Sequence, residues 1–256
     1  YSFSQTAPLV KKIDLSKQSF MQRLGGFYFT KISKNKISTE ESDSPGSSWL
    51  NYLNASYKLT ESTIISTTLR FEVVDSNDEN GKGDRFSEAD QRVGTATTIF
   101  KNDTFTGEVF MTFEIPTSKA SQNDHRTMQL KPAVSLTTKF DDYNNLMTFF
   151  GFNKTFYPNA NDSIDNTSRH FYTSWIVFRN KYFSEKIVLK AEYSSSLSHV
   201  AKASDLTIRK DEDDQLNLGV EFDLMGFSVN PYLMHSPSEV RAINQLAGGV
   251  QIFKGF

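Results

Sequence analysis

Most of the residues that could do chemistry in this chain are charged, and several recur two apart: Arg70 with Glu72, Lys190 with Glu192, Glu221 with Asp223. In an extended chain, residues two apart share a face. Such pairs lay charge along one wall of a sheet, where it can neutralise itself or line a path for ions. Arg92, Glu108, Glu114, Lys131 and Lys139 stand in similar segments and alternate with apolar residues. Acids and bases nearly balance across this set, so the sign of any selectivity is open. The Glu221–Asp223 pair and the acid run at 211–214 tilt it weakly toward cations.

Other chemistries are less supported. His125, His170, His199 and His235 fall in polar segments or near strand ends, with Asp124 and Ser198 adjacent to two of them. Acid–base or nucleophilic catalysis needs neighbours of this kind. There is no Gly-x-Ser-x-Gly and no His-Glu-x-x-His, however. Scattered histidines on polar loops are expected to be solvated, and the chain is not expected to be an enzyme. Oxygen-rich stretches at 75–81 and 210–214 invite a calcium reading. The first lacks the sixth-position Gly and twelfth-position Glu of an EF-hand loop, so solvated acidic loops are the stronger reading. No metal and no cofactor are expected. A net charge of −2 argues against nucleic acid as a partner. With no cysteine, no disulfide framework is available.

The elements that must position these charges are strands. The 256 residues suffice for one β domain, and the mean hydropathy is −0.46. No apolar run reaches the 18 or so residues of a transmembrane helix. Period-2 alternation is clear in several segments. At Ile64–Val74, Ile65, Thr67, Leu69, Phe71 and Val73 oppose Ser66, Thr68, Arg70 and Glu72. At Thr104–Ile115, Phe105, Val109, Met111, Phe113 and Ile115 oppose Thr106, Glu108, Thr112 and Glu114. At Met128–Phe140, Leu130, Val134 and Leu136 oppose Gln129, Lys131 and Lys139. Trp49–Leu59, Ile187–Tyr193 and Gln215–Leu224 read in the same way. Phe20–Ile32, Ala89–Lys101, Leu146–Thr155, Arg169–Asn180, Phe227–His235 and the last run to Phe256 complete twelve strands. Phe149, Phe150 and Phe152 break alternation, as does Trp175–Phe178. Pro132 and Pro231 are expected near a strand end or bulge.

The connections alternate. Long polar links near Ser33–Ser48, Asp75–Glu88, Pro116–Arg126, Tyr157–Ser168, Ser196–Asp214 and Ser236–Ala242 alternate with short ones near Thr60–Ser62, Lys101–Asp103, Asp141–Asn145, Ser184–Lys186 and Met225–Gly226. Strands of about ten residues, an even count and alternating loop lengths describe a transmembrane antiparallel up-and-down β-barrel. The 22 Phe and 10 Tyr suit aromatic girdles at the two interfaces.

By these patterns residues 19–256 resemble bacterial outer-membrane β-barrels of the porin kind, with no particular subfamily indicated. The resemblance implies an outer-membrane location with both termini in the periplasm. Residues 1–18 would be a periplasmic segment or a small plug. Partners would be outer-membrane lipid, lipopolysaccharide and the barrel-assembly machinery. In that family a terminal aromatic residue on an amphipathic strand marks the chain for assembly, which casts Phe256 as the signal. Lys254, where an apolar residue would be expected, could snorkel to the membrane edge. The implied function is passive diffusion of ions or small hydrophilic solutes through a narrow lumen. That lumen would be lined by Arg70, Glu72, Arg92, Glu108, Glu114, Lys131, Lys139, Lys190, Glu192, Glu221 and Asp223. The alternative is a non-conducting structural or adhesive barrel that acts through its long external loops.

Overall fold

The computed structural model describes residues 19–34, 47–74, 85–123, 125–158, 170–184, 187–201, 206–209, 214–235 and 247–256. Residues 1–18, the acidic stretch 75–81, the run 210–213 and Asp124 lie outside these, as do the side chains of His170 and His199. In chain order the strands are β1 (Leu24–Lys34), β2 (Ser47–Lys58), β3 (Thr63–Val74), β4 (Arg85–Glu88), β5 (Gln91–Lys101), β6 (Phe105–Ile115), β7 (Met128–Asp141), β8 (Asn144–Phe156), β9 (His170–Ser184), β10 (Ile187–Ala201), β11 (Leu206–Arg209), β12 (Gln215–Leu224), β13 (Phe227–His235) and β14 (Ala247–Gly255). The helices are α1 (Phe20–Arg23) and α2 (Lys119–Asn123).

Twelve long strands run up and down in one antiparallel sheet that closes on itself. β14 pairs β1 from Phe27 opposite Gly255 to Lys34 opposite Gly248. Past that ladder, Gly26 and Phe256 exchange two backbone hydrogen bonds of 3.0 and 3.1 Å. The short strands β4 and β11 extend the ladders of β3 and β10 beyond their neighbours. The result is a transmembrane β-barrel, and its burial pattern is inverted relative to a water-soluble sheet. Leu53, Leu69, Val134, Leu136, Leu218 and Leu233 are exposed, while Asn54, Thr68, Glu114, Ser135, Asn180 and Asn217 are buried. Alternation dictates this: apolar residues face out, where a bilayer would meet them, and polar residues face in.

The short turns carry their own signals. Asn102 Oδ1 accepts the N–H groups of Thr104 and Phe105 at 3.0 and 2.7 Å. Asp141 Oδ1 accepts the N–H of Tyr143 at 2.7 Å. Met225 and Gly226 take φ of 54° and 76°, the double positive φ of a tight hairpin turn. Register shifts at Thr98/Phe100, Lys139/Asp141 and Ile187/Val188 all lie beside short turns. Bulges concentrate at barrel rims because they bend the sheet there. At the first of them the Phe100 ring lies across Gly107, where a side chain would collide with it.

Three sequence expectations are corrected. Phe20–Arg23 is a helical turn, not the start of β1: Ser19 N–H donates to Gln22 Oε1 at 2.8 Å in a capping box. Pro132 and Pro231 sit in mid-strand with no bulge. The β7–β8 ladder skips from Leu130–Lys154 to Ala133–Gly151, and β12–β13 from Gly219–Tyr232 to Phe222–Val229, with register kept. The sheet tolerates the missing donors by omitting local bonds on one side only, since Pro132 and Pro231 still oppose Met111 and Val250 on the other. Last, the strand expected from Ala89 is broken at Ala89–Asp90. Above the break β3 pairs β4 instead of β5. The Gln91 amide bridges the gap: its Oε1 accepts the N–H of Arg70 at 2.9 Å and its Nε2 donates to the Arg70 carbonyl at 3.3 Å.

Outward-facing Val134 lies in the middle of β7. Val134→Arg should destabilise the barrel by about 2–4 kcal/mol in urea titrations of vesicle-folded protein. The inward Ala133→Ser should stay within about 0.5 kcal/mol of wild type.

Candidate functional site: the barrel lumen

The inward residues of β3, β5, β6 and β7 converge on one carboxylate. Glu114 Oε2 lies 3.2 Å from Arg70 Nη1, 2.7 Å from Arg92 Nε and 2.6 Å from Lys131 Nζ. All four side chains are 10–13% exposed. Register explains the meeting: Arg92 stands opposite Glu114, and Lys131 opposite Thr112, one inward step away. Arg70 also donates to the Asp90 carbonyl at 3.1 Å and lies over the Tyr52 ring at 5.4 Å. Its Nε is buried with no hydrogen-bond partner among the described residues. Buried charge must be paired, and here one acid anchors three bases.

The break before β5 adds a second anchor. Asp90 is buried; its Oδ1 accepts the Ser118 N–H at 2.9 Å and its Oδ2 accepts the Ser121 hydroxyl. This holds α2 and the chain around it against the β5–β6 end of the barrel.

On the far wall, Lys190 is ion-paired with Glu221. Lys31 Nζ lies over the Tyr232 ring at 5.3 Å, and Glu192 acts electrostatically on both. Asn217 Oδ1, Asn230 Oδ1 and the Tyr232 hydroxyl are buried there without a hydrogen-bond partner among the described residues. Glycine makes room for this wall: a side chain at Gly249 would meet the Tyr232 hydroxyl at 2.7 Å.

The remaining residues named from the sequence are more scattered. Among the described residues Glu108 accepts a long 3.5 Å contact from the Ser135 hydroxyl. Glu72 is opposite Leu50 on the inward register of β2–β3. Lys139 and Asp223 are at the short-turn rim. Lys139 binds Asp142 at 2.7 Å, and Asp223 Oδ1 accepts the Gly226 N–H at 3.3 Å. The acidic pair behind the tilt toward cations is therefore split, with Glu221 neutralised by Lys190 and Asp223 out at the turn. Phe256 is 70% exposed, and its ring lies over Gly26, where a side chain would come within 2.7 Å of it. Lys254 Nζ lies over the outward Phe227 ring at 4.7 Å, beside the Met225–Gly226 turn. Among the described residues no group of three or more His, Cys, Asp or Glu is placed to hold a metal.

Sequence reasoning missed most of what lines the bore. A cavity of about 190 Å³ lies within it, and its wall includes Phe27, Phe29, Tyr52, Phe110, Phe149 and Phe178. Phe29 and Tyr52 pair at 5.5 Å between centroids, and Phe110 and Phe149 at 5.8 Å. The charged members of the wall are Lys31, Arg92, Lys131 and Glu192. The signal was present in the broken alternation. Where Phe149 and Phe150 are consecutive, Phe150 faces out and Phe149 in; where Ile176, Val177 and Phe178 are consecutive, Ile176 and Phe178 are buried. Runs of apolar residues in a barrel strand mark places where the inner face is apolar too.

No family model matches the sequence, and no curated protein matches it. The fold has solved relatives. An outer-membrane channel from Pseudomonas putida F1 superposes with a TM-score of 0.61 at 10% identity, over 91% of this chain and 94% of that one. The NanC porin superposes at 0.55 with 9% identity, over 89% and 97%. At such identity the likeness is one of fold: the chain has the architecture of the outer-membrane β-barrels.

Glu114→Gln should cost about 3 kcal/mol in urea unfolding, because it leaves three buried bases without their acid. Lys131→Met, which keeps the acid and two bases, should cost less.

Proposed function

We propose that this protein is a bacterial outer-membrane channel for passive diffusion of small solutes, including ions, through a narrow lumen. Both termini would be periplasmic, the long links external, and the outer face in contact with lipid and lipopolysaccharide. The observation that carries the reading is the cavity inside a closed barrel, walled partly by Lys31, Arg92, Lys131 and Glu192. A barrel that only needed a filled interior would close this space with side chains, as small eight-stranded barrels do.

A second reading has one observation in its favour. Ion pairs neutralise much of the inward charge, notably around Glu114 and between Lys190 and Glu221. A sealed structural or adhesive barrel would use such pairs to satisfy buried charge.

Planar-bilayer recording of the refolded protein separates the two. The channel reading expects discrete current steps and a measurable reversal potential in a salt gradient. Lys31→Glu should shift that potential toward cation preference. Silence across salt and voltage, with folding verified by heat-modifiable gel mobility, would favour the sealed barrel.

A further inference from the structure

The bore is not the hydrophilic tube that a pattern of alternating charges suggests. Its cavity is walled by aromatic rings on β1, β2, β6, β8 and β9, and by bases on β1, β5 and β7. Charged groups facing it are three bases, Lys31, Arg92 and Lys131, and one acid, Glu192, among the described residues. Glu114, which anchors two of those bases, is not itself part of the cavity wall. Counting Glu114 and its third partner Arg70 with the wall, four bases (Lys31, Arg70, Arg92, Lys131) face two acids (Glu114, Glu192), so the net charge of this group stays positive next to an apolar surface.

Its size is informative as well. A cavity of about 150 Å³ lined by apolar side chains takes up benzene, and this one measures about 190 Å³. A single aromatic ring with one small substituent fits that space. Aromatic rings pair favourably with Phe and Tyr, while a bare inorganic anion gains nothing comparable from their negative ring faces. A carboxylate on the ring gains charge-assisted hydrogen bonds from Arg or Lys. Arg70, whose buried Nε has no hydrogen-bond partner among the described residues, lies over Tyr52 at the edge of this wall.

We propose that the lumen holds a binding site for a small single-ring organic anion, an aromatic carboxylate. Phe29, Tyr52, Phe110 and Phe149 hold the ring, and Lys31, Arg92 and Lys131 hold the carboxylate. The proposal names the solute class of the channel reading and rests on it for its physiological sense. The site itself exists whether or not the barrel conducts.

Equilibrium dialysis of the refolded full chain in detergent tests it without requiring any current. The probes are benzoate, acetate and benzamide, with protein-free micelles as the blank. Benzoate should bind at least tenfold more tightly than acetate, which lacks the ring, and benzamide, which lacks the charge. Lys31→Met should weaken benzoate at least fivefold and leave benzamide unchanged; this variant does not disturb the Glu114 cluster. Phe110→Ala should weaken benzoate and benzamide together. Benzoate binding no tighter than acetate, or equal to benzamide, would overturn the proposal even if the barrel conducts ions. Selective benzoate binding by a barrel that passes no current would keep the site and remove the channel reading.

Discussion

The pairing of β14 with β1 is the constraint on which the rest depends. A sheet in hydrocarbon cannot leave a row of unpaired N–H and C=O groups at its edge, since each would cost several kcal/mol. Joining the first long strand to the last removes both edges. The ladder from Phe27 to Lys34 and the two backbone hydrogen bonds between Gly26 and Phe256 do this. Once the sheet is closed, every side chain must point either to the bilayer or to the lumen. A slip of one residue between strands would exchange the two sets, so register and facing are fixed together.

That sorting creates the lumen's chemistry. Charges excluded from the outer face are forced inward, where Arg70, Arg92 and Lys131 share Glu114, and Lys190 holds Glu221. Twelve strands enclose more space than side chains fill and less than a sixteen-stranded water channel. Inward Phe and Tyr narrow it. The bore that results is small and partly aromatic, with Lys31, Arg92, Lys131 and Glu192 as the charged members of its cavity wall.

Much of this was legible in the sequence, and the limits have physical causes. Strands such as Ile64–Val74 and Gln215–Leu224 alternate cleanly because one face meets lipid and the other a polar wall, so their facing could be read directly. The aromatic wall could not. Phe149 beside Phe150 reads as apolar on both sides, and period-2 analysis then cannot tell which ring faces in. The strand break at Ala89–Asp90 was also hidden, because a Gln side chain replaces the missing backbone pairing and nothing in its spacing announces that. Lys31 was passed over because β1, with Gly25 and Gly26 and few charges, alternates weakly. The prolines misled for a simpler reason: a missing donor argues for an edge or a bulge, yet omitting ladder bonds on one side alone was enough.

Facing is the central claim, and the absence of cysteine from the chain allows it to be measured cleanly. Single cysteines would be placed at inward Ser66 and Thr112 and at outward Leu69 and Val134, and the folded barrels in vesicles treated with a charged, water-soluble methanethiosulfonate. The account predicts rapid modification at positions 66 and 112 and protection at 69 and 134. Protection of the first two with modification of the last two would contradict it.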